Sequence, residues 1–198
     1  MAEISAKLVK ELREKTGAGM MDCKEALAAS EADMTKAVEF LRKKGLATAQ
    51  KRAGRATSEG TLAAYIHMGG KLGVLVEVNS ETDFVAKNDQ FQEFAKNIAM
   101  HIAASSPLGI RPEDVPPEVV AKEREIYAAQ ARETGKPEKV IEKIVEGKLK
   151  KFFEDSCLLQ QRYVRNPEIT VGDLLNELVA KFGENISIRR FVRFQVGD

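Results

Sequence analysis

Near residue 60 the apolar residues of this chain change period, and that change excludes an all-helical fold. Up to Leu41 they recur three and four positions apart, whereas Leu62, Ala64 and Ile66 alternate before Gly69-Gly70 and Leu72, Val74, Val76 and Val78 alternate after it. A strand sends successive side chains to opposite faces while a helix returns to one face every 3.6 residues, so one pattern does not serve both. Two alternating runs around a glycine pair predict a β-hairpin. A third alternating run, Ile186, Ile188, Arg190, Val192, Phe194 and Val196, predicts a closing strand that completes a three-stranded antiparallel sheet.

The first 45 residues obey the helical period. Ser5 is a good N-cap, Ile4 before it can staple to Val9, and Leu8 with Leu12 forms an apolar stripe that ends at Thr16-Gly17. A second helix is predicted from about Met20 to Ala29 with Cys23, Ala26 and Leu27 inward, and a third after Asp33 with Met34, Ala37, Val38 and Leu41 on one face, ending before Gly45. Helices this short are marginal alone, so the three are expected to pack as a small bundle over residues 1–45. Residues 46–59 are small and basic and read as a linker or a polar helix; residues 60–198 form the core.

Within that core Asp89 is predicted to cap an amphipathic helix carrying Phe91, Phe94, Ile98 and Ile102, closed by Pro107. Two charged helices, from about Glu118 to Glu133 and from Glu138 to about Asp155, flank Gly135-Lys136-Pro137 and read as an antiparallel helical hairpin over about 117–155. After Pro167, Thr170 with Asp173 opens a helix bearing Leu174, Leu175, Leu178, Val179 and Phe182. The fold class is therefore α+β with helices dominating.

A chain of 198 residues with 43% hydrophobic residues buries roughly 70% of its extended-chain surface, which excludes disorder of the whole. No run of 18 apolar residues is present, and Met1 to Ser5 lack a basic, then apolar, then small export pattern, so a cytoplasmic protein with no membrane partner is expected. Cys23 and Cys157 stand far apart with no second cysteine nearby, which argues against a disulfide framework or a zinc ribbon. Lys+Arg 31 against Asp+Glu 30 leaves a net charge of +1, so the chain as a whole is not built to attract nucleic acid. Charge is segregated locally, however: Lys36, Arg42, Lys43, Lys44, Lys51, Arg52 and Arg55 face Glu39 alone between residues 36 and 55. That run reads as a solvated helix end near the negative pole of the helix dipole, or as an RNA contact.

Catalytic chemistry finds little support. Gly17-Ala18-Gly19 with Lys24 lacks the spacing of a phosphate loop and no strand precedes it. His67 and His101 read as structural or surface histidines rather than metal ligands, and Cys23 as a small core residue. Neither a cofactor nor a metal is expected. Surface hydrophobes are more telling. Adjacent residues of a helix point ~100° apart, so one of Met20 and Met21 can be presented outward while the other enters the core, or both are buried. Phe84 lies in the polar connection Asn79-Ser80-Glu81-Thr82-Asp83-Phe84-Val85-Ala86-Lys87-Asn88, where it either folds back onto the core or serves a partner.

Three long stretches make the chain familiar: Leu12-Arg13-Glu14-Lys15-Thr16-Gly17-Ala18-Gly19-Met20-Met21-Asp22-Cys23-Lys24-Glu25-Ala26-Leu27; Glu77-Val78-Asn79 leading into Thr82-Asp83-Phe84-Val85-Ala86-Lys87; and Gly183-Glu184-Asn185-Ile186-Ser187-Ile188-Arg189-Arg190. They closely resemble bacterial elongation factor Ts. The resemblance implies a guanine nucleotide exchange factor, not an enzyme, whose partner is GDP-bound elongation factor Tu. It implies a ubiquitin-associated-like N-terminal domain that docks on the partner's nucleotide-binding domain through Arg13, Met20, Met21 and Lys24. It further implies that Thr82, Asp83, Phe84 and Val85 enter the partner beside its Mg²⁺ site, displacing the ion and remodelling the nucleotide site. By its chemistry Asp83 can hold such a segment by accepting hydrogen bonds from backbone amides or by capping a helix end. With a single core copy the chain looks like the short type that forms a homodimer, and no direct contact with nucleic acid is expected. Two other classes remain: an RNA-associated translation module using residues 36–55, and a ubiquitin-type peptide binder suggested by the three-helix domain alone, which leaves the core unexplained.

Overall fold

Ser5 and Gly17 bracket the first helix as their chemistry predicts. In the computed structural model, which describes residues 4–197, the Ser5 hydroxyl accepts the Leu8 N–H at 3.3 Å, and Gly17, left-handed at φ 68°, donates its N–H to the Arg13 carbonyl. Met1 to Glu3, part of the export reading and of segment 1–45, and Asp198 at the end of segment 60–198, lie outside the described residues. In chain order the elements are α1 (Ala6–Thr16), α2 (Met20–Ala29), α3 (Met34–Arg52), β1 (Glu59–Ile66), β2 (Leu72–Ser80), α4 (Asp83–Ala86), α5 (Asp89–Ser105), a 3₁₀ turn at Pro112–Asp114, α6 (Pro117–Arg132), α7 (Glu138–Ser156), β3 (Arg162–Tyr163), β4 (Asn166–Thr170), α8 (Val171–Phe182) and β5 (Ile186–Gln195). The order β1-β2-β5 makes a three-stranded antiparallel sheet, and the whole is α+β.

By packing, the described chain divides into two compact units. One comprises the segments up to Leu62, Glu77–Ala95 and Asp173–Arg189; the other comprises Ala63–Val76, Lys96–Gly172 and the segment from Arg190 on. In the first unit Leu12, Cys23, Ala26, Leu27 and Ala37 form the buried core of α1, α2 and α3, with Ile4, Leu8, Val9 and Leu41 packed around it. The Asp33 carboxylate accepts the Lys36 N–H at 3.0 Å and starts α3.

The third helix does not stop at Gly45. It continues to Arg52 through the small, basic stretch, which leaves only residues 53–58 between it and β1. Glycine in a helix interior costs about 1 kcal/mol relative to alanine. Here a side chain would meet the Ala180 methyl at 3.4 Å, so glycine lets α3 lie close against α8, and tertiary packing overrides propensity. A smaller correction concerns α5: Asn88, not Asp89, caps it, its side-chain oxygen accepting the Gln90 N–H at 2.9 Å.

The second unit contains the predicted helical hairpin, in which Ala131 of α6 and Ile141, Val145 and Leu149 of α7 form a core of their own. The β3–β4 ladder, pairing Arg162 with Thr170 and Tyr163 with Asn166, is an element the sequence pattern does not announce. It frames a buried polar network. The imidazole of His101 is fully buried; its Nδ1 accepts the Val164 N–H at 3.2 Å, so Nε2 carries the proton and donates to Gln161 Oε1 at 2.9 Å. The Gln161 amide in turn donates to the Asp155 and Ser105 carbonyls. His101 is thus a structural pin.

Burial holds the His101 pKa below the ordinary histidine value. A base whose folded pKa is lowered is neutral in both states at high pH, and the unfolded chain begins to bind a proton first as pH falls through about 6.5. Thermal stability is therefore expected to fall below that pH by up to about 1.4 kcal/mol per unit until the folded pKa is reached. Comparing melting curves of the parent and His101→Gln between pH 5 and 8 checks this; parallel pH profiles would remove His101 as the cause.

Candidate partner-docking site

Helix α2 turns Cys23, Ala26 and Leu27 inward; Met21 and Lys24, three positions apart, share its outer side, and Met20, the first residue of the helix and four positions from Lys24, is exposed beside them. Both methionines are open to solvent, Met20 at 60% and Met21 at 75% exposure, so neither enters the bundle core. Gly19 begins the helix without a side-chain cap, and Asp22 and Glu25 are tied to Lys44 of α3 at 2.8 and 2.5 Å. The pair raises the Lys44 pKa, chiefly through its hydrogen bond to Asp22. Arg13 is exposed in the last turn of α1.

The second cluster is α4, a single turn. Phe84 is 80% exposed while the next residue, Val85, is 3% exposed; of the Thr82–Val85 segment, Val85 anchors and Phe84 projects. Thr82 caps the turn, its hydroxyl accepting the Val85 N–H at 3.4 Å. Asp83 is ion-paired with Lys87 at 2.7 Å one turn on, which holds its carboxyl below the usual range. An open depression of about 410 Å³ beside the ring is lined by Asp83, Phe84, Lys87, Asn88 and Asp89.

What sequence reasoning misses is how this turn is held. The Glu184 carboxylate accepts both the Thr82 N–H, at 3.1 Å, and the Thr82 hydroxyl, at 2.8 Å. In the opposite sense, Glu81 accepts the Asn185 N–H at 2.6 Å, which holds the Glu81 carboxyl below the usual range, with Arg55 adding to the effect. The Asn185 amide donates to the Arg55 carbonyl at 2.7 Å, and at the exit of the turn the Gln92 amide donates to the Ala86 carbonyl at 2.6 Å. Glu184 and Asn185 sit inside the Gly183–Arg190 stretch, yet nothing local in the sequence announces partners a hundred residues away.

The basic run of α3 is largely occupied within the chain: Arg42 pairs with Asp173 at 2.6 Å, Lys44 with Asp22 and Glu25, and Arg52 and Arg55 with Glu81. Lys36, Lys43 and Lys51 stay exposed. His67 is exposed, its Nδ1 2.9 Å from the Tyr65 hydroxyl. Both cysteines are free and buried, and burial pushes the Cys157 thiol up to about 11, far from thiolate chemistry at neutral pH. Among the described residues no helix is long and apolar enough to cross a membrane.

The model of the family described as Elongation factor TS matches residues 3–198. A protein of Desulfosudis oleivorans named Elongation factor Ts is 65% identical over 198 residues, covering 100% of both chains. Proteins of the same name from Carboxydothermus hydrogenoformans and Desulfotalea psychrophila are each 62% identical, covering 98% of this chain and 90% and 98% of theirs.

Proposed function

The chain belongs to the elongation factor Ts family, and from that premise we propose that it speeds GDP release from GDP-bound elongation factor Tu by inserting the Thr82–Val85 segment beside the partner's Mg²⁺ site. It is a nucleotide exchange factor of translation elongation, and we place its action in the cytoplasm. Residues 1–45 serve as the docking domain, through Arg13, Met20, Met21 and Lys24, with no nucleic acid and no cofactor of its own.

The observation that supports this best is the Phe84 ring, 80% exposed on a turn whose two flanks are tied down by hydrogen bonds. Leaving such a side chain in water forgoes on the order of 1.5–3 kcal/mol of burial, a cost that is tolerable where the ring has a pocket to enter. Exchange needs no bond made or broken. A factor that binds best to the partner conformation holding nucleotide and Mg²⁺ poorly shifts the population toward that conformation. The coupling is reciprocal, so incoming GTP weakens the factor's hold by the same factor and expels it. Asp83, charged at neutral pH, stands beside the ring and offers an acceptor to partner backbone amides. Stopped-flow release of labelled GDP from elongation factor Tu tests the whole reading: a saturable acceleration by this chain is expected, and release at the intrinsic rate would overturn it.

The methionines have a separate expected result. Met21→Ala, and to a similar degree Met20→Ala, should weaken partner binding by roughly 1–2 kcal/mol while leaving thermal unfolding nearly unchanged, because both side chains are already in water. Lost stability with unchanged affinity would make them packing residues.

We also infer that the chain forms a two-fold symmetric dimer, so that the full complex holds two copies of each protein. In the second unit the sheet buries Ala63, Val74 and Val76 but leaves Ile66 and Leu75, which alternate with them, exposed, and the far half of β5 exposes Val192 and Phe194; this is uncovered apolar surface for an interface with its own copy. Light scattering at micromolar concentration should report about twice 21.9 kDa; a strictly monomeric mass would refute it.

The RNA-module alternative is not favoured, since much of the basic run is already neutralised by acids of this chain. Phosphate contacts would give a steep loss of affinity with salt; the interface proposed here predicts a shallow one.

A further inference from the structure

We propose that Glu184 is a positioning residue for nucleotide exchange, its carboxylate setting the direction in which α4 presents Phe84. The proposal rests on the reading that Phe84 is the inserting group.

The need for such a residue follows from length. Helix α4 has four residues, and its internal bonds, from the Ala86 N–H to the Thr82 carbonyl and from the Lys87 N–H to the Asp83 carbonyl, are those of one turn. A single turn fixes about six dihedrals for one or two hydrogen bonds and does not persist unaided. Where the ring points is therefore decided by what grips the ends. At the exit, Val85 and Ala86 are buried and Gln92 holds the last carbonyl. At the entry stands Glu184, from the connection between α8 and β5, 102 positions along the chain.

Its two oxygens divide the work. One accepts the Thr82 N–H and fixes the backbone; the other accepts the Thr82 hydroxyl, which itself accepts the Val85 N–H inside the turn. Hydrogen bonds to a carboxylate are roughly twice as strong as neutral ones, and a hydroxyl that donates to a carboxylate becomes a better acceptor for the next N–H. Glu184 thus holds Thr82 in its extended capping conformation, φ −125° and ψ 155°, from which α4 departs. Glu81 returns the clasp on Asn185 but also faces Arg52 and Arg55, whereas both Glu184 bonds go to Thr82. Glu184 is the residue through which the two segments can be uncoupled at α4 alone.

The test is a double-mutant cycle in the full chain, read as the labelled GDP release rate from elongation factor Tu at saturating factor. Glu184→Ala should lower that rate roughly five-fold, because displacing a positioned group by an ångström costs up to about 100-fold. In the Phe84→Ala background the same change should cost less than about two-fold, since there is no ring left to aim. Hydrogen exchange of the free chain gives a reading independent of the partner: the Val85, Ala86 and Lys87 amides should exchange about ten-fold faster in Glu184→Ala, with α7 unchanged. Should Glu184→Ala not fold, Glu184→Gln and Thr82→Val carry the same cycle. Full activity of Glu184→Ala beside a slow Phe84→Ala would overturn the positioning role and leave the inserting ring standing. Effects that multiply would mean that Glu184 touches the partner directly, which also overturns it. Full activity of Phe84→Ala would sink the insertion reading itself, and this proposal with it.

Discussion

Replacing Phe84 with alanine is expected to lower the saturated rate of GDP release from elongation factor Tu by about ten-fold or more, roughly 1.4 kcal/mol at the barrier, while the fold is retained. The two halves of that expectation come from one side chain. An 80% exposed ring contributes little packing to the chain that carries it, so its removal opens no cavity, and Val85 and Ala86 still anchor the turn. On the mechanism proposed above the loss falls on the complex, because contacts made to the opened partner and not to the closed one raise a rate rather than an affinity. Asp83→Ala should act in the same direction and cost little stability, because the Asp83–Lys87 pair is exposed and screened by solvent. Melting curves beside the stopped-flow traces separate the two effects. If both variants stay folded and release GDP as fast as the parent, the docking edge of α2 carries the exchange.

How far the sequence goes toward this picture depends on the range of the interaction involved. Helix α2 spans the residues its stripe predicts, Ser5 and Asp33 cap through their side chains and Gly17 through its left-handed backbone, because capping and stripes are decided within four residues. The exposure of Met21 follows from local spacing once Cys23, Ala26 and Leu27 are set inward, but that of Met20 does not, since it stands three residues before Cys23 and is nonetheless in water at the start of the helix. The continuation of α3 past Gly45 is not legible, since its cause is the methyl of Ala180. Nor is the occupancy of the basic run, because Asp173 and Glu81 come from other elements. On β1 the alternation of Leu62, Ala64 and Ile66 is real, but that face is the bare one; Ala63 is buried. Period tells which residues share a face, not which face is covered. Phe84 shows the same limit: composition marks it as out of place, and only the burial of its neighbour Val85 fixes which way it points.

Truncating Leu27 to alanine is expected to have the largest effect on the docking domain, and one opposite in kind to that of Met21→Ala. The buried core of α1, α2 and α3 consists of Leu12, Cys23, Ala26, Leu27 and Ala37, three of them small, so Leu27 supplies much of its apolar volume. Leucine-to-alanine changes at buried sites cost about 2–5 kcal/mol, and a core of this size rarely supplies more than about 3–5 kcal/mol in all. The balance leaves the bundle near its midpoint. The far half of α3 should survive, because Gly45 lies against Ala180 and Arg42 against Asp173, contacts that do not involve Leu27. Hydrogen exchange should therefore show protection lost in α1 and α2 but kept in α7 and the Gly45–Arg52 part of α3. Partner affinity should fall at least as far as in Met21→Ala, since an unfolded α2 no longer presents Met20, Met21 and Lys24 side by side. Retained protection across α1 and α2 would show that these helices draw their stability from outside their own core, and a loss that spread to α7 would show that the two units unfold as one.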